Sequence, residues 1–137
     1  MTELQFQAKC YQHFHNNFVK HRGRLRRVKN ELDNHPYKSK SDRIKQLGEN
    51  KATGVIPGDS DFYFIAEKNH YIELKIDAAQ SEDQKKFELL VTSFGHKYYI
   101  CKTIEQFDNI IKNILNEEDK RTRTNIGLIN DEAAFVL

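Results

Sequence analysis

The chain has no tryptophan, one methionine, two prolines and two cysteines, and its net charge at neutral pH is only +2. Cys10 and Cys101 are far apart and form no C-x-x-C pair, which argues against a disulfide scaffold or a zinc ribbon and suits a reducing compartment. No run of about 18 apolar residues occurs, so no membrane-spanning helix is expected. The opening residues Met1 to Gln5 lack the charged-then-apolar layout of a signal peptide, and the expected location is the cytoplasm. Internal repeats and low-complexity tracts are also missing, which removes solenoids and disordered linkers. The six histidines show no metal-ligand spacing: His13 and His15, two apart, would face away from each other on a helix, and His21, His35, His70 and His96 are scattered. A zinc or HNH-type site is not expected.

What is present is enough for one soluble globular domain. The 137 residues can bury roughly two thirds of their unfolded surface. Nine Phe and six Tyr supply bulk for a core although only 38% of residues are hydrophobic and 31% are charged. The small net charge conceals an uneven distribution. Arg22, Arg24, Arg26, Arg27 and Lys29 fall within eight residues, beside Lys20, and such a patch can meet phosphates, although charge runs are commonly just solvated surface.

Leu4, Ala8, Tyr11, Phe14 and Phe18 recur at helical spacing and predict an amphipathic helix from residue 3 to about 20, ended by Gly23. Residues 24–30 read as a short strand carrying the basic patch, 34–39 as a loop, and the surroundings of Ile44 and Leu47 as a short helix. Gly54, Pro57, Gly58 and Asp59 mark a loop before two apolar strands, 62–65 and 71–76, joined as a hairpin. Ser81 and Gln84 form a capping box ahead of a helix over 82–94 whose apolar face is Phe87, Leu90, Val91 and Phe94. A strand over 97–102 follows. Thr103 and Gln106 offer a second capping box before a helix with Phe107, Ile110, Ile111 and Ile114 on one face, and the polar tail begins at Asn116. Alternation of strand and helix after a hairpin predicts an α/β fold, a mixed central β-sheet flanked by α-helices, with a parallel crossover between residues 76 and 97.

Charges within the two apolar strands carry the chemistry. Three E-x-K triplets occur, at Glu49, Glu73 and Glu118, so the triplet alone means little. In the middle one, Tyr71, Glu73 and Lys75 share one strand face while Ile72, Leu74 and Ile76 share the other, expected to be the core face. Asp61 opens the preceding strand, and hairpin pairing lets its carboxylate approach Glu73. Two carboxylates with the backbone carbonyl of Leu74 would be an ordinary protein share of a Mg²⁺ coordination sphere, and such an ion activates water and stabilises charge in phosphodiester hydrolysis. Lys75 could orient the water or neutralise the phosphorus. The competing view is a cross-strand ion pair on a wet sheet face.

Four separated motifs add a resemblance. Asn30-Glu31, Gly54 to Asp61, Tyr71 to Lys75 and Ser81 to Gln84 resemble, in order and spacing, the VRR-NUC family (virus-type replication-repair nucleases) of the PD-(D/E)xK superfamily, over roughly residues 3 to 115. The resemblance implies a restriction-endonuclease-like core in residues 1–116; beyond it, 117–137 reads as a C-terminal tail whose closing apolar residues, Ile126, Leu128, Ile129 and 133–137, are expected to dock on the body or on a dimer partner. It makes Asp61 and Glu73 metal ligands, Lys75 the catalytic lysine, Glu31 an acidic residue from the N-terminal part and Gln84 a glutamine at the site. Gln84 has an equally good explanation as the helix cap. Where the family commonly shows Gly-x-Pro-Asp, this chain has Gly58-Asp59-Ser60-Asp61, so Asp59 remains an alternative ligand.

Single-domain members of that family look like structure-directed DNA endonucleases acting as homodimers on branched DNA such as four-way (Holliday) junctions. The resemblance therefore implies a Mg²⁺-dependent endodeoxyribonuclease, Mn²⁺ able to substitute, in a bacterial or phage-infected cell. Neither a membrane nor an organic cofactor is expected. Arg22, Arg24, Arg26, Arg27 and Lys29 would then hold phosphates, with little sequence preference and strong salt dependence. Two alternatives stand beside it: a non-cleaving DNA-binding or assembly module with the same fold, and a nuclease for flaps or single strands.

Overall fold

The computed structural model describes residues 1–28 and 39–136, with side chains described through Arg123. The chain divides into two units, Met1–Lys102 and Thr103–Leu137.

The first unit begins with helix α1 (Glu3–Asn17), set by a capping box in which Thr2 Oγ1 accepts the Gln5 N–H and Gln5 Oε1 accepts the Thr2 N–H. A 3-10 turn (Val19–His21) and Gly23, at φ +90°, redirect the chain into strand β1 (Leu25–Arg27). Helix α2 (Lys40–Ala52) starts at Ser39, whose hydroxyl accepts the Asp42 N–H, and buries none of its residues. Strands β2 (Phe62–Phe64) and β3 (His70–Leu74) form the antiparallel hairpin, with Phe62 opposite Ile72 and Phe64 opposite His70. Helix α3 (Glu82–Ser93) crosses over to β4 (Lys97–Cys101), which pairs parallel to β3. The sheet is four-stranded and mixed, in the order β1-β2-β3-β4.

Strand parity assigns its two faces. Leu25, Phe62, Phe64, Ile72, Leu74 and Cys101 lie on one, all almost fully buried. Helix α1 packs there, with Phe14 edge-on to Phe64 at 5.9 Å between ring centroids. Tyr63, Tyr71, Glu73 and Tyr98 lie on the other, where Phe87 of α3 meets Tyr71 edge-on at 5.1 Å and Tyr98 at 6.2 Å. Both faces are thus covered by helices.

Three expectations need correction. The stripe of α1 turned to the core is Phe6, Cys10 and Phe14, whereas Leu4 and Tyr11 are each 44% exposed. Phe14 belongs to both stripes, and contact with the sheet decides between them. On α3, Val91 is buried and Phe87 half-buried, but Leu90 and Phe94 are exposed. The last helix does not end near residue 115.

That helix, α4 (Ile104–Val136), makes up most of the second unit, and the residues read as a polar tail continue it without a break. Its start follows the expected cap, since Thr103 Oγ1 accepts the Gln106 N–H. Phe107, Ile111 and Ile114 are buried, and Lys112 pairs with Asp108 at 2.7 Å one turn away. Helix-compatible polar residues such as Glu117, Glu118, Lys120 and Arg121 extend it, because polarity alone does not terminate a helix.

A candidate acid and lysine centre

The loop before β2 is anchored against the first turn of α3. Gly58 has φ +101°, and a Cβ there would stand 2.5 Å from the Asp83 carbonyl oxygen, so only glycine permits the approach. Ser60, in the place where the resembling family has proline, is fully buried and donates its hydroxyl to the Phe62 carbonyl at 2.8 Å. That bond gives the turn a local restraint in proline's stead. Asp61 then points back to β3, where its Oδ2 accepts the Leu74 N–H at 2.7 Å. One carboxylate thereby takes the place of a ladder partner at the end of the hairpin.

Glu73, only 3% exposed, projects beside it on the face covered by α3. Its Oε1 accepts from Gln84 Nε2 at 2.7 Å and lies 3.7 Å from Lys75 Nζ. Its Oε2 is buried and has no hydrogen-bond partner among the described residues. Burial and the neighbouring Asp61 charge push the Glu73 carboxyl up to about 8, against the pull of Lys75. Asp61 is also raised, mainly by burial, with the Leu74 amide opposing. A pair of buried carboxylates that resists double ionisation is what a cation would relieve.

Gln84 serves two purposes with one side chain. Its Oε1 accepts the Ser81 N–H at 2.9 Å to complete the capping box, while its Nε2 holds Glu73. The cap and the site role are therefore not rivals. The setting of Glu73 and Lys75 speaks against the competing view of an ion pair on a wet sheet face: Lys75 is 8% exposed, so their face of the sheet is covered.

Asp61, Glu73, Lys75 and Gln84 are brought together; Glu31 and Lys29 lie outside the described residues. Asp59 is half-buried, with its carboxyl raised by burial. Sequence reasoning missed Glu3. It occupies the first turn of α1, and its charge pushes both Asp61 and Glu73 upward. The Thr2 and Gln5 pattern that places Glu3 in a first helical turn was legible, but nothing local tied that turn to Asp61. Among the described residues, no three His, Cys, Asp or Glu side chains converge as a ready metal cluster.

The basic patch is dispersed. Arg24 lies over the Phe64 ring at 4.6 Å and donates Nε to the Ile65 carbonyl, tying β1 to the hairpin. Arg22 and Arg26 are exposed and donate Nε to the carbonyls of His15 and Gly23. Arg26 and Arg27 point to opposite faces of β1. A single basic face over 22–27 is therefore not formed.

Comparison with family models, with curated proteins and with solved structures found no match to this chain. Among the described residues, no helix is long and apolar enough to cross a membrane.

Proposed function

We propose that this chain is a metal-dependent endodeoxyribonuclease with a restriction-endonuclease-like core, hydrolysing phosphodiester bonds in branched DNA and acting as a homodimer. The observation that carries the reading is the buried Glu73 Oε2, without a hydrogen-bond partner among the described residues, next to Asp61 near the end of β3, with Lys75 directly after the strand. An unpartnered buried carboxylate oxygen is expensive, and a hard cation satisfies it better than a packed side chain does. The motif series shared with VRR-NUC nucleases supports the same reading.

The residues present fit a Mg²⁺ or Mn²⁺ ion. Asp61 and Glu73 would hold it, each using the oxygen not engaged by Leu74 or Gln84, with the Leu74 carbonyl as a further donor. Glu3 is the nearby carboxylate able to add charge. Bound there, the ion supplies positive charge that activates water and neutralises the reacting phosphate. Lys75 places a fixed cation beside the attacked phosphate, and its burial keeps that charge from being dispersed in solvent. Gln84 holds Glu73 in one rotamer and leaves Oε2 facing the ligand. Arg22 and Arg26 meet DNA phosphates.

The test is cleavage of labelled four-way junction, flap and linear duplex in Mg²⁺, Mn²⁺ or EDTA, with native protein and Glu73→Ala. Native protein nicks branched DNA only with metal, and Glu73→Ala binds without cutting. Cleavage that persists in EDTA or in the variant overturns the assignment.

A further inference from the structure

Strands β1 and β2 are neighbours in the sheet, yet the chain between them makes a long excursion that contains α2. The stem of that excursion closes at the acid centre, where the Val28 N–H donates to the carbonyl of Asp61 at 2.9 Å. On the return, Gly58 lies against Asp83 in the first turn of α3, next to the Gln84 that holds Glu73. Ala52, the last residue of α2, is six positions from Gly58, so chain reach keeps the two within about 20 Å.

Packing does not account for the composition of α2. None of its residues is buried, its apolar side chains are Ile44, Leu47 and Ala52, and Lys40, Arg43, Lys45 and Lys51 are all exposed. At 3.6 residues per turn, Lys40, Arg43 and Lys51 fall within an arc of about 80°, with Leu47 and Ile44 beside them. Asp42 and Glu49 lie on the opposite side, three positions before and four after Lys45, the spacings at which helical charges pair. No acid stands three or four positions from Lys40, Arg43 or Lys51, and among the described residues none of the three forms an ion pair. The helix thus separates its charges instead of interleaving them, unlike a helix whose charged face serves solvation alone.

We propose that this acid-free stripe of α2 is a docking face for the DNA backbone, with Lys40, Arg43 and Lys51 on phosphates to one side of the hydrolysed bond. The proposal rests on the nuclease reading above and gives its DNA contact to an element outside the dispersed segment 22–27. Charge complementarity selects the occupant. The stripe runs about 16 Å along the helix axis, a length over which duplex DNA presents on the order of ten phosphate charges. Each cation therefore meets a phosphate without a fixed register, and no carboxylate in the stripe repels one. A membrane surface is the poorer occupant, because an interfacial helix buries a broad apolar face and this stripe offers only Ile44 and Leu47.

The experiment is a set of anisotropy titrations of a labelled four-way junction in EDTA, at several salt concentrations. Native protein is compared with the triple variant Lys40→Gln, Arg43→Gln, Lys51→Gln, in which Gln keeps the helix propensity of Lys and Arg. The slope of log affinity against log salt falls by about 2 to 3 in that variant. Removing the same charge from exposed positions elsewhere, by Lys9→Gln, Lys68→Gln and Lys86→Gln, leaves the slope at its native value. The charge-keeping variant Lys40→Arg, Arg43→Lys, Lys51→Arg binds as native protein does. An unchanged slope in the triple variant, an equal change in the control, lost binding in the charge-keeping variant, or no DNA binding by native protein overturns the proposal. So does retention of phosphatidylserine vesicles by native protein but not by the triple variant, with DNA binding intact, which would assign the stripe to a membrane surface. Metal-dependent cleavage by native protein with an unchanged slope removes the α2 face and keeps the nuclease; the slope loss without cleavage by native protein does the reverse.

Discussion

Glu73 is the residue on which the proposed chemistry turns, because among the described residues only one of its two oxygens has a side-chain hydrogen-bond partner. Its carboxyl moves from 4.5 to about 8, so the folded chain holds a proton between those values that the unfolded chain has released. With the folded pKa raised, the associated stability is fully present below about 4.5 and is lost as pH rises through about 8. Thermal melts in EDTA should accordingly fall from pH 5 to pH 8, and Glu73→Gln should flatten that slope. Mg²⁺ should raise the melting temperature more at pH 8 than at pH 5, where a proton competes for the site. A metal-free slope unchanged by Glu73→Gln would place the titration elsewhere. That Glu73 and Lys75 share a strand face and that Gln84 caps α3 was legible in the sequence because strand parity and a capping box are local patterns; that Gln84 would meet Glu73 was implied only by the resemblance. Glu3 was not legible, since its link to these residues passes through the packing of α1.

Among the elements, α1 poses the clearest ambiguity. Two apolar stripes, Phe6-Cys10-Phe14 and Leu4-Ala8-Tyr11-Phe14, fit the same helical period, and the sequence ranks neither. The sheet accepts the first, with each fully buried Phe contributing on the order of 1.5–3 kcal/mol. Phe14→Ala should therefore cost about 3–5 kcal/mol in urea unfolding, the range for a buried Phe truncation. Leu4→Ala, at a largely exposed position, should cost less than about 1 kcal/mol. Equal costs would mean that both stripes are buried. The same reasoning explains α3, where Leu90 and Phe94 fit the predicted face yet stay exposed while Phe87 meets Tyr71 and Tyr98. Helix α4 outran its expected end because a change from apolar to polar residues marks the loss of a buried face and not the loss of helix.

For the molecule as a whole, charge distribution matters more than its sum. Arg24 is engaged by Phe64 and Ile65, so its loss should lower stability, whereas Arg22 and Arg26 each spend an Nε donor on a carbonyl and present the guanidinium outward. Under the nuclease reading, Arg22→Ala with Arg26→Ala should weaken binding uniformly across DNA sequences. It should also reduce the slope of log affinity against log salt by about 1 to 2, as read by anisotropy titrations. An unchanged slope would take this segment out of the DNA path. The sequence by itself determined the hairpin, the parallel return through α3, the capped helix starts and the strand phase that sets Glu73 and Lys75 side by side. Each of these follows from residues a few positions apart. Only the tertiary structure decided which stripe of α1 is buried, that α3 dries the face carrying Glu73, and that Glu3 and Arg27 act on Asp61. Those outcomes depend on contacts between segments distant in the chain, and residue spacing along one segment carries no information about which surface will meet it.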